Sequence, residues 1–61
     1  MIKIGEIYKP SQFSFEDKDT RIEVYQVGMD RVLYTNLTTN TDGEISIKEF
    51  YLYYDKAERE V

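Results

Sequence analysis

The sequence predicts a mainly β single domain: a small barrel or strongly bent antiparallel sheet, with a C-terminal α-helix closing one end. Three observations predict it. Several short runs alternate apolar with polar residues and are rich in β-branched and aromatic side chains. Turn-forming residues separate these runs. After Ser46 the apolar spacing changes from that of a strand to that of a helix. The 61 residues allow one domain, spanning 1–61, with a small core in which each apolar residue counts.

Ile2 to Tyr8 reads as the first strand, with Ile2, Ile4 and Tyr8 on one face and Ile7 on the other, and Pro10 interrupts it. Lys9 to Thr20 is a polar stretch that carries Phe13 and Phe15. The plainer reading of these two rings is that they cover one end of the core; the sharper one is an exposed contact patch. Glu16, Asp17 and Asp19 make the stretch acidic.

Arg21 to Val27 is the clearest strand, with Ile22 and Val24 facing one way and Glu23, Tyr25 and Val27 the other. Gly28-Met29-Asp30 predicts a hairpin turn in which Gly28 is free to take positive φ. Arg31 to Leu37 is the return strand, with Val32 and Tyr34 on one face and Leu33 on the other. Thr38 to Gly43 is polar and ends in Asp42-Gly43, a turn signal. Glu44 to Ile47 then forms a short strand through Ile45 and Ile47.

Ser46-Ile47-Lys48-Glu49 has the form of a capping box, and Ile45 with Phe50 has the spacing of a hydrophobic staple. Phe50, Tyr54, Ala57 and Val61 recur at helical intervals beyond it. The expected core is Ile4, Ile7, Ile22, Val24, Val27, Val32, Tyr34, Ile45, Ile47, Phe50 and Tyr54.

Composition narrows the function. There is no Cys and no His, which removes disulfides, thiolate metal sites and the usual general base. Twelve acidic residues against eight basic ones give a net charge of -4, which disfavours a nucleic-acid backbone as the main partner. A hydrophobic fraction of 41% is enough for a folded globule. The acids are scattered singly, and Gly5, Gly28 and Gly43 stand alone without a phosphate-binding motif. No enzyme activity and no cofactor is expected. The start Met1-Ile2-Lys3-Ile4-Gly5 has no long apolar run, and no later run is long enough to span a bilayer. The expectation is a cytoplasmic protein without membrane contact, in which the sequon Asn36-Leu37-Thr38 is a chance match.

The sharpest motif is Thr38 to Glu49, which has the spacing of an EF-hand calcium loop. Asn40 stands at its third position, Asp42 at the fifth, Gly43 at the sixth, Ile45 at the eighth, Ser46 at the ninth and Glu49 at the twelfth, with Glu44 between. Thr38 at the first position is a poor substitute for a carboxylate, and the incoming segment is rich in β-formers. A hairpin turn followed by a capped helix explains the same letters. No metal is therefore favoured; Asn40, Asp42, Glu44 and Glu49 are the ligands if the loop does bind calcium.

Six tyrosines occur in this short chain. Tyr8, Tyr25 and Tyr34 lie on predicted strands and could line a concave face; half-buried rings completing the core are the plainer reading. Tyr51, Tyr53 and Tyr54 cannot all be buried by one helix face, because neighbours point about 100° apart. Tyr51 and Tyr53 are thus partner-contact candidates with Phe13, Phe15, Glu16, Asp17 and Asp19.

The order of signals resembles small SH3-like β-barrel proteins of bacteria and their phages. The resembling residues are Ile4-Gly5-Glu6-Ile7-Tyr8, Ile22-Glu23-Val24, Val32-Leu33-Tyr34-Thr35-Asn36-Leu37 and Gly43-Glu44-Ile45-Ser46-Ile47-Lys48-Glu49-Phe50. The pattern covers most of the chain. It departs from eukaryotic signalling SH3 domains, since the ALYDY-type run is missing and there is no Trp; binding of proline-rich peptides is therefore not implied. The resemblance implies a small accessory protein, often bacteriophage-encoded, and transfers no site residue.

The leading expectation is a non-enzymatic interaction protein that binds and modulates a larger host or viral protein, for example as an inhibitor in the host cytoplasm. Its surface would be aromatic and acidic, with Glu16, Asp17, Asp19, Asp42 and Glu44 supplying the charge. One alternative is a nucleic-acid-binding SH3-like or OB-like barrel using Tyr8, Tyr25 and Tyr34 with Lys3, Arg21 and Arg31. The other is a lone EF-hand-like calcium protein. An exposed strand edge would also allow a homodimer.

Overall fold

The computed structural model describes residues 1–57. The elements in chain order are β1 (Ile7–Pro10), β2 (Ile22–Val27), β3 (Arg31–Asn36), β4 (Thr41–Ser46), α1 (Ile47–Tyr53) and β5 (Tyr54–Lys56). All strand pairings are antiparallel and make one open sheet in the order β4-β3-β2-β1-β5. The fold is mainly β, as the alternation predicts.

Chain length forces the sheet to bend. The chain leaves β4 at one edge and enters β5 at the other, with only the seven residues of α1 between them. Five flat strands would place those edges about 19 Å apart. A seven-residue helix spans about 10 Å. The sheet therefore curls around the helix, and the concave side becomes the core. Tyr8, Ile22, Val24, Val32, Phe50 and Tyr54 are buried there, with Ile2, Tyr34, Ile45, Ile47 and Tyr53 packed against them. Among the described residues β4 and β5 do not pair, so this is a bent sheet rather than a closed barrel.

Ser46 caps α1 as predicted: its backbone is extended and its Oγ accepts from the Glu49 N–H. The Ser46 hydroxyl in turn donates to Glu49 Oε1 at 3.0 Å. The helix does not continue through Tyr54 and Ala57. Tyr54 has extended backbone, with φ -133 and ψ 139, and starts β5. Pairing with β1 supplies the reason, since Pro10 and Lys9 lie opposite Tyr54 and Asp55 and offer them a strand partner. Val61, the last residue of the expected helical pattern, lies outside the described residues.

Several other expectations need correction. The first strand begins at Ile7, not Ile2, because Lys3 to Glu6 form a turn closed by a Glu6 N–H to Lys3 carbonyl bond of 3.3 Å. Gly5 has φ +88, the sign a type II turn requires at its third residue. Ile4 is thereby held at the turn tip, 66% exposed, and is not a core residue. Ile7 faces the outer side opposite Glu23, while Tyr8, absent from the expected core, is buried opposite Ile22. Pro10 is the last residue of β1 and pairs with Tyr54, rather than interrupting the strand after Tyr8.

Tyr25 forms a bulge between the pairs Val24↔Tyr34 and Gln26↔Leu33. The extra residue moves Val27 opposite the buried Val32, but at the hairpin end Val27 stays exposed. Gly28 needs no positive φ; its N–H donates to the Arg31 carbonyl at 2.8 Å. The second hairpin turns at residues 37–40, not at Asp42-Gly43. Asn36 Oδ1 accepts from the Thr38 and Thr39 N–H groups, and Asn40 takes φ 59. Asp42 and Gly43 lie inside β4.

Candidate functional site

Residues 11–21 connect β1 to β2 and hold most of the contact candidates. This connection is long for an antiparallel pair, yet its backbone is closely tied. Ser11 joins it to the end of α1: its N–H donates to the Tyr53 carbonyl at 2.8 Å and its Oγ to the Leu52 carbonyl at 2.6 Å. Those carbonyls belong to the last turn of the helix, which has no partner for them within the helix itself. The Ser11 Oγ also accepts from the Phe13 N–H, the Ser11 carbonyl from the Ser14 N–H, and the Ser14 Oγ from the Glu16 N–H.

The second half of the loop is held from the opposite side. Asp17 accepts the Thr20 N–H on its carbonyl and the Asp19 N–H on Oδ1. The Arg21 guanidinium donates to the Lys18 and Thr20 carbonyls, both at 2.8 Å. Thr38, from the β3–β4 turn, accepts from the Arg21 N–H and donates to the Asp19 carbonyl. Thr20 is buried beneath.

Between the two halves stands Tyr54. Its ring lies 5.4 Å from Phe50 and 6.0 Å from Tyr34 in the core. Its hydroxyl donates to Glu16 Oε2 at 2.6 Å, across 38 residues of sequence. Burial is the main cause that pushes the Tyr54 phenol well above its ordinary value, and the bond to Glu16 adds to it. Tyr8 shows a weaker form of the same arrangement. Its hydroxyl donates to Glu6 Oε1 at 3.2 Å, and burial raises its phenol. Glu6 is held below the usual carboxylate range, chiefly by its bond to Lys56, whose Nζ lies 2.7 Å away. These shifts favour the neutral phenols and the ionised carboxylate.

Against this ordered frame, two rings face outward. Phe13 is 58% exposed and Phe15 is 102% exposed. They cover no core, which overturns the plainer expectation for them. Glu16, Asp17 and Asp19 are exposed beside them on the same loop. Tyr51 is exposed on α1, while Tyr53 is half-buried against the core and is the weakest of the proposed contacts. Leu52 is also exposed, and the sequence reading missed it. Helix geometry could have found it: two residues after Phe50 is about 200° around the helix, directed away from the core.

The residues expected to serve other functions are dispersed. Tyr8 is buried and Tyr34 lies against the core, whereas Tyr25 is exposed at the bulge. They do not form one stacking face. Arg21 is committed to loop carbonyls, and Arg31 lies 3.7 Å from Glu44. The calcium-loop residues are divided among a turn, a strand and a helix: Asn40 in the turn, Asp42 and Glu44 on β4, Glu49 in the first turn of α1. Asp42 accepts from Thr35 across the ladder. The incoming segment is strand, so Thr38 to Glu49 is not a helix–loop–helix. Among the described residues no three acidic side chains gather as a metal site would require.

A shallow cleft of about 270 Å³ is lined by Met1, Ile2, Tyr8, Phe50, Tyr51, Tyr54, Asp55 and Lys56. No helix among the described residues is long and apolar enough to cross a membrane. Comparison with known proteins finds no family model, no curated protein and no solved structure that matches this chain.

Proposed function

We propose that this chain is a non-enzymatic interaction protein that binds and modulates a larger protein through its 11–21 loop. Phe15 carries the reading: a fully exposed ring on a loop whose backbone is bonded on both sides. An aromatic side chain in water gains most from leaving it, and a pre-ordered loop loses little entropy on binding. Phe13 and Phe15 are the apolar anchors. Glu16, Asp17 and Asp19 follow them on the same exposed loop and add negative charge, which fits an apolar pocket rimmed by Lys or Arg. Tyr51 and Leu52 extend the surface from the helix that the loop abuts. The SH3-like resemblance is supported by the strand order β4-β3-β2-β1-β5 with a short helix between β4 and β5.

The test compares the wild-type chain with the double variant Phe13→Ser/Phe15→Ser as bait against lysate, with retained proteins quantified after crosslinking. The expected result is a protein whose retention falls about tenfold or more in the variant, the scale of one lost hot-spot ring. Circular dichroism should show both baits equally folded. Equal retention by the two baits refutes the loop reading, and retention abolished by nuclease treatment favours a nucleic-acid partner instead.

A further inference from the structure

The Tyr54 hydroxyl links the loop to the core. Tyr54 sits in the core through its ring, which stacks on Phe50 and leans on Tyr34, yet its oxygen reaches out to Glu16. Glu16 immediately follows Phe15, and its own N–H is bonded to the Ser14 Oγ. Ser14 is bonded back to Ser11, and Ser11 holds the Leu52 and Tyr53 carbonyls just before Tyr54. The chain of bonds therefore closes on itself: Tyr54, Glu16, Ser14, Ser11, and the backbone leading back to Tyr54. The Phe13 and Phe15 rings are exposed on this ring of bonds and take no part in it.

We infer that Tyr54 is a positioning residue for the recognition loop, its hydroxyl latching Glu16 so that Phe13 and Phe15 are held outward in one arrangement. This rests on the proposed binding role of the loop and goes a step further, since it names what sets the geometry of the binding surface. A phenol donating to a carboxylate makes a short, charge-assisted bond, stronger than a neutral one. The tyrosine is anchored by aromatic contacts on its ring, so the bond fixes Glu16, and the loop backbone beside it, relative to the core. The Tyr8 pair differs in this respect. Glu6 is only two residues from Tyr8, and its position is already set by its carbonyl, which accepts from the Val24 N–H, and by its ion pair to Lys56.

The experiment is residue-resolved amide hydrogen exchange on the full chain and on Tyr54→Phe, which keeps the ring and deletes the hydroxyl. Exchange at the Ser14 and Glu16 amides should accelerate about tenfold or more, the scale of a hydrogen bond to a charged group. The Gly28 and Asn40 amides, in the two other turns, should change much less. Glu16→Gln keeps an acceptor without its charge and should fall between wild type and Tyr54→Phe. An unchanged loop overturns the inference. Acceleration by one common factor at all four amides also overturns it, since that would mean the hydroxyl supports global stability only. Neither readout needs a partner, so failure of the latch and failure of the binding role are seen separately.

Discussion

Two regions of this molecule are assembled by different means. The β2–β3–β4 meander joins neighbours in sequence through short turns, Gly28 to Asp30 and 37–40. The seam that joins β1, β5 and the 11–21 loop pairs distant residues, Tyr8 with Lys56, Ser11 with Leu52, Glu16 with Tyr54. Closing a longer loop costs more chain entropy, so the seam must be held by stronger or denser contacts than a hairpin. It is: a stacked and edge-on aromatic group of Tyr8, Phe50 and Tyr54, one short ion pair and a phenol–carboxylate bond. The contact surface we propose lies on the seam. The meander supplies the wall against which the seam is built.

The largest way to break this contrast is Phe50→Ala. Phe50 is 1% exposed and its ring touches both seam tyrosines, with Tyr8 edge-on at 4.8 Å. Removing a buried Phe costs about 3–5 kcal/mol. That is comparable to the whole stability of a domain this small, so the variant should be largely unfolded by circular dichroism at room temperature. A denaturation midpoint near that of wild type would show that the seam does not depend on this ring.

Gly43→Ala tests the meander in turn. Gly43 lies opposite Tyr34 on the inner face, and a Cβ there would stand 2.6 Å from the Tyr34 hydroxyl oxygen and 2.7 Å from Cζ. The Tyr34 ring lies over the bare glycine on its way to Tyr54. Displacing it should cost about 1–3 kcal/mol in urea denaturation, as overpacking does. In a Tyr34→Leu background the same substitution should be nearly neutral; an undiminished cost there would point to backbone strain instead of the ring.

The smallest effect is expected where the two regions join. Ser46 ends β4 and caps α1, whose first N–H donates to the Asp30 carbonyl of the first turn. Ser46→Ala should lower stability by about 1 kcal/mol, and thermal unfolding should remain a single transition. Two separated transitions would show that meander and seam fold independently.

The same division explains what could be read in advance. Ile22, Val24 and Val32 were legible as core because each sits in an alternating run whose partner strand is the next one along the chain. The Ser46 cap was legible because its chemistry acts over three residues. Tyr54 was legible as buried but not as the start of a strand, because Phe50, Tyr54 and Ala57 keep helical spacing regardless of what β1 offers. Asp42-Gly43 looked like a turn because the usual reason for a glycine is its φ; here the reason is a ring across the ladder. Of the candidate site, Phe13, Phe15, Glu16, Asp17 and Asp19 were named from residue type, and Tyr51 and Tyr53 from the crowding of three tyrosines on one helix. Their placement on one bonded loop and its neighbouring helix, and the exposure of Leu52, depended on where that loop runs.

By itself, then, the sequence determined the β character of the chain, the two central strands, the helix start and the absence of His and Cys chemistry. These follow from side-chain period, capping and composition, which act within a few residues. Only the tertiary structure decided where the helix stops, which way Phe13 and Phe15 face, and that Glu16 finds Tyr54. Those outcomes hang on a helix of seven residues having to connect two sheet edges, which bends the sheet and brings the ends of the chain's long loop onto the core.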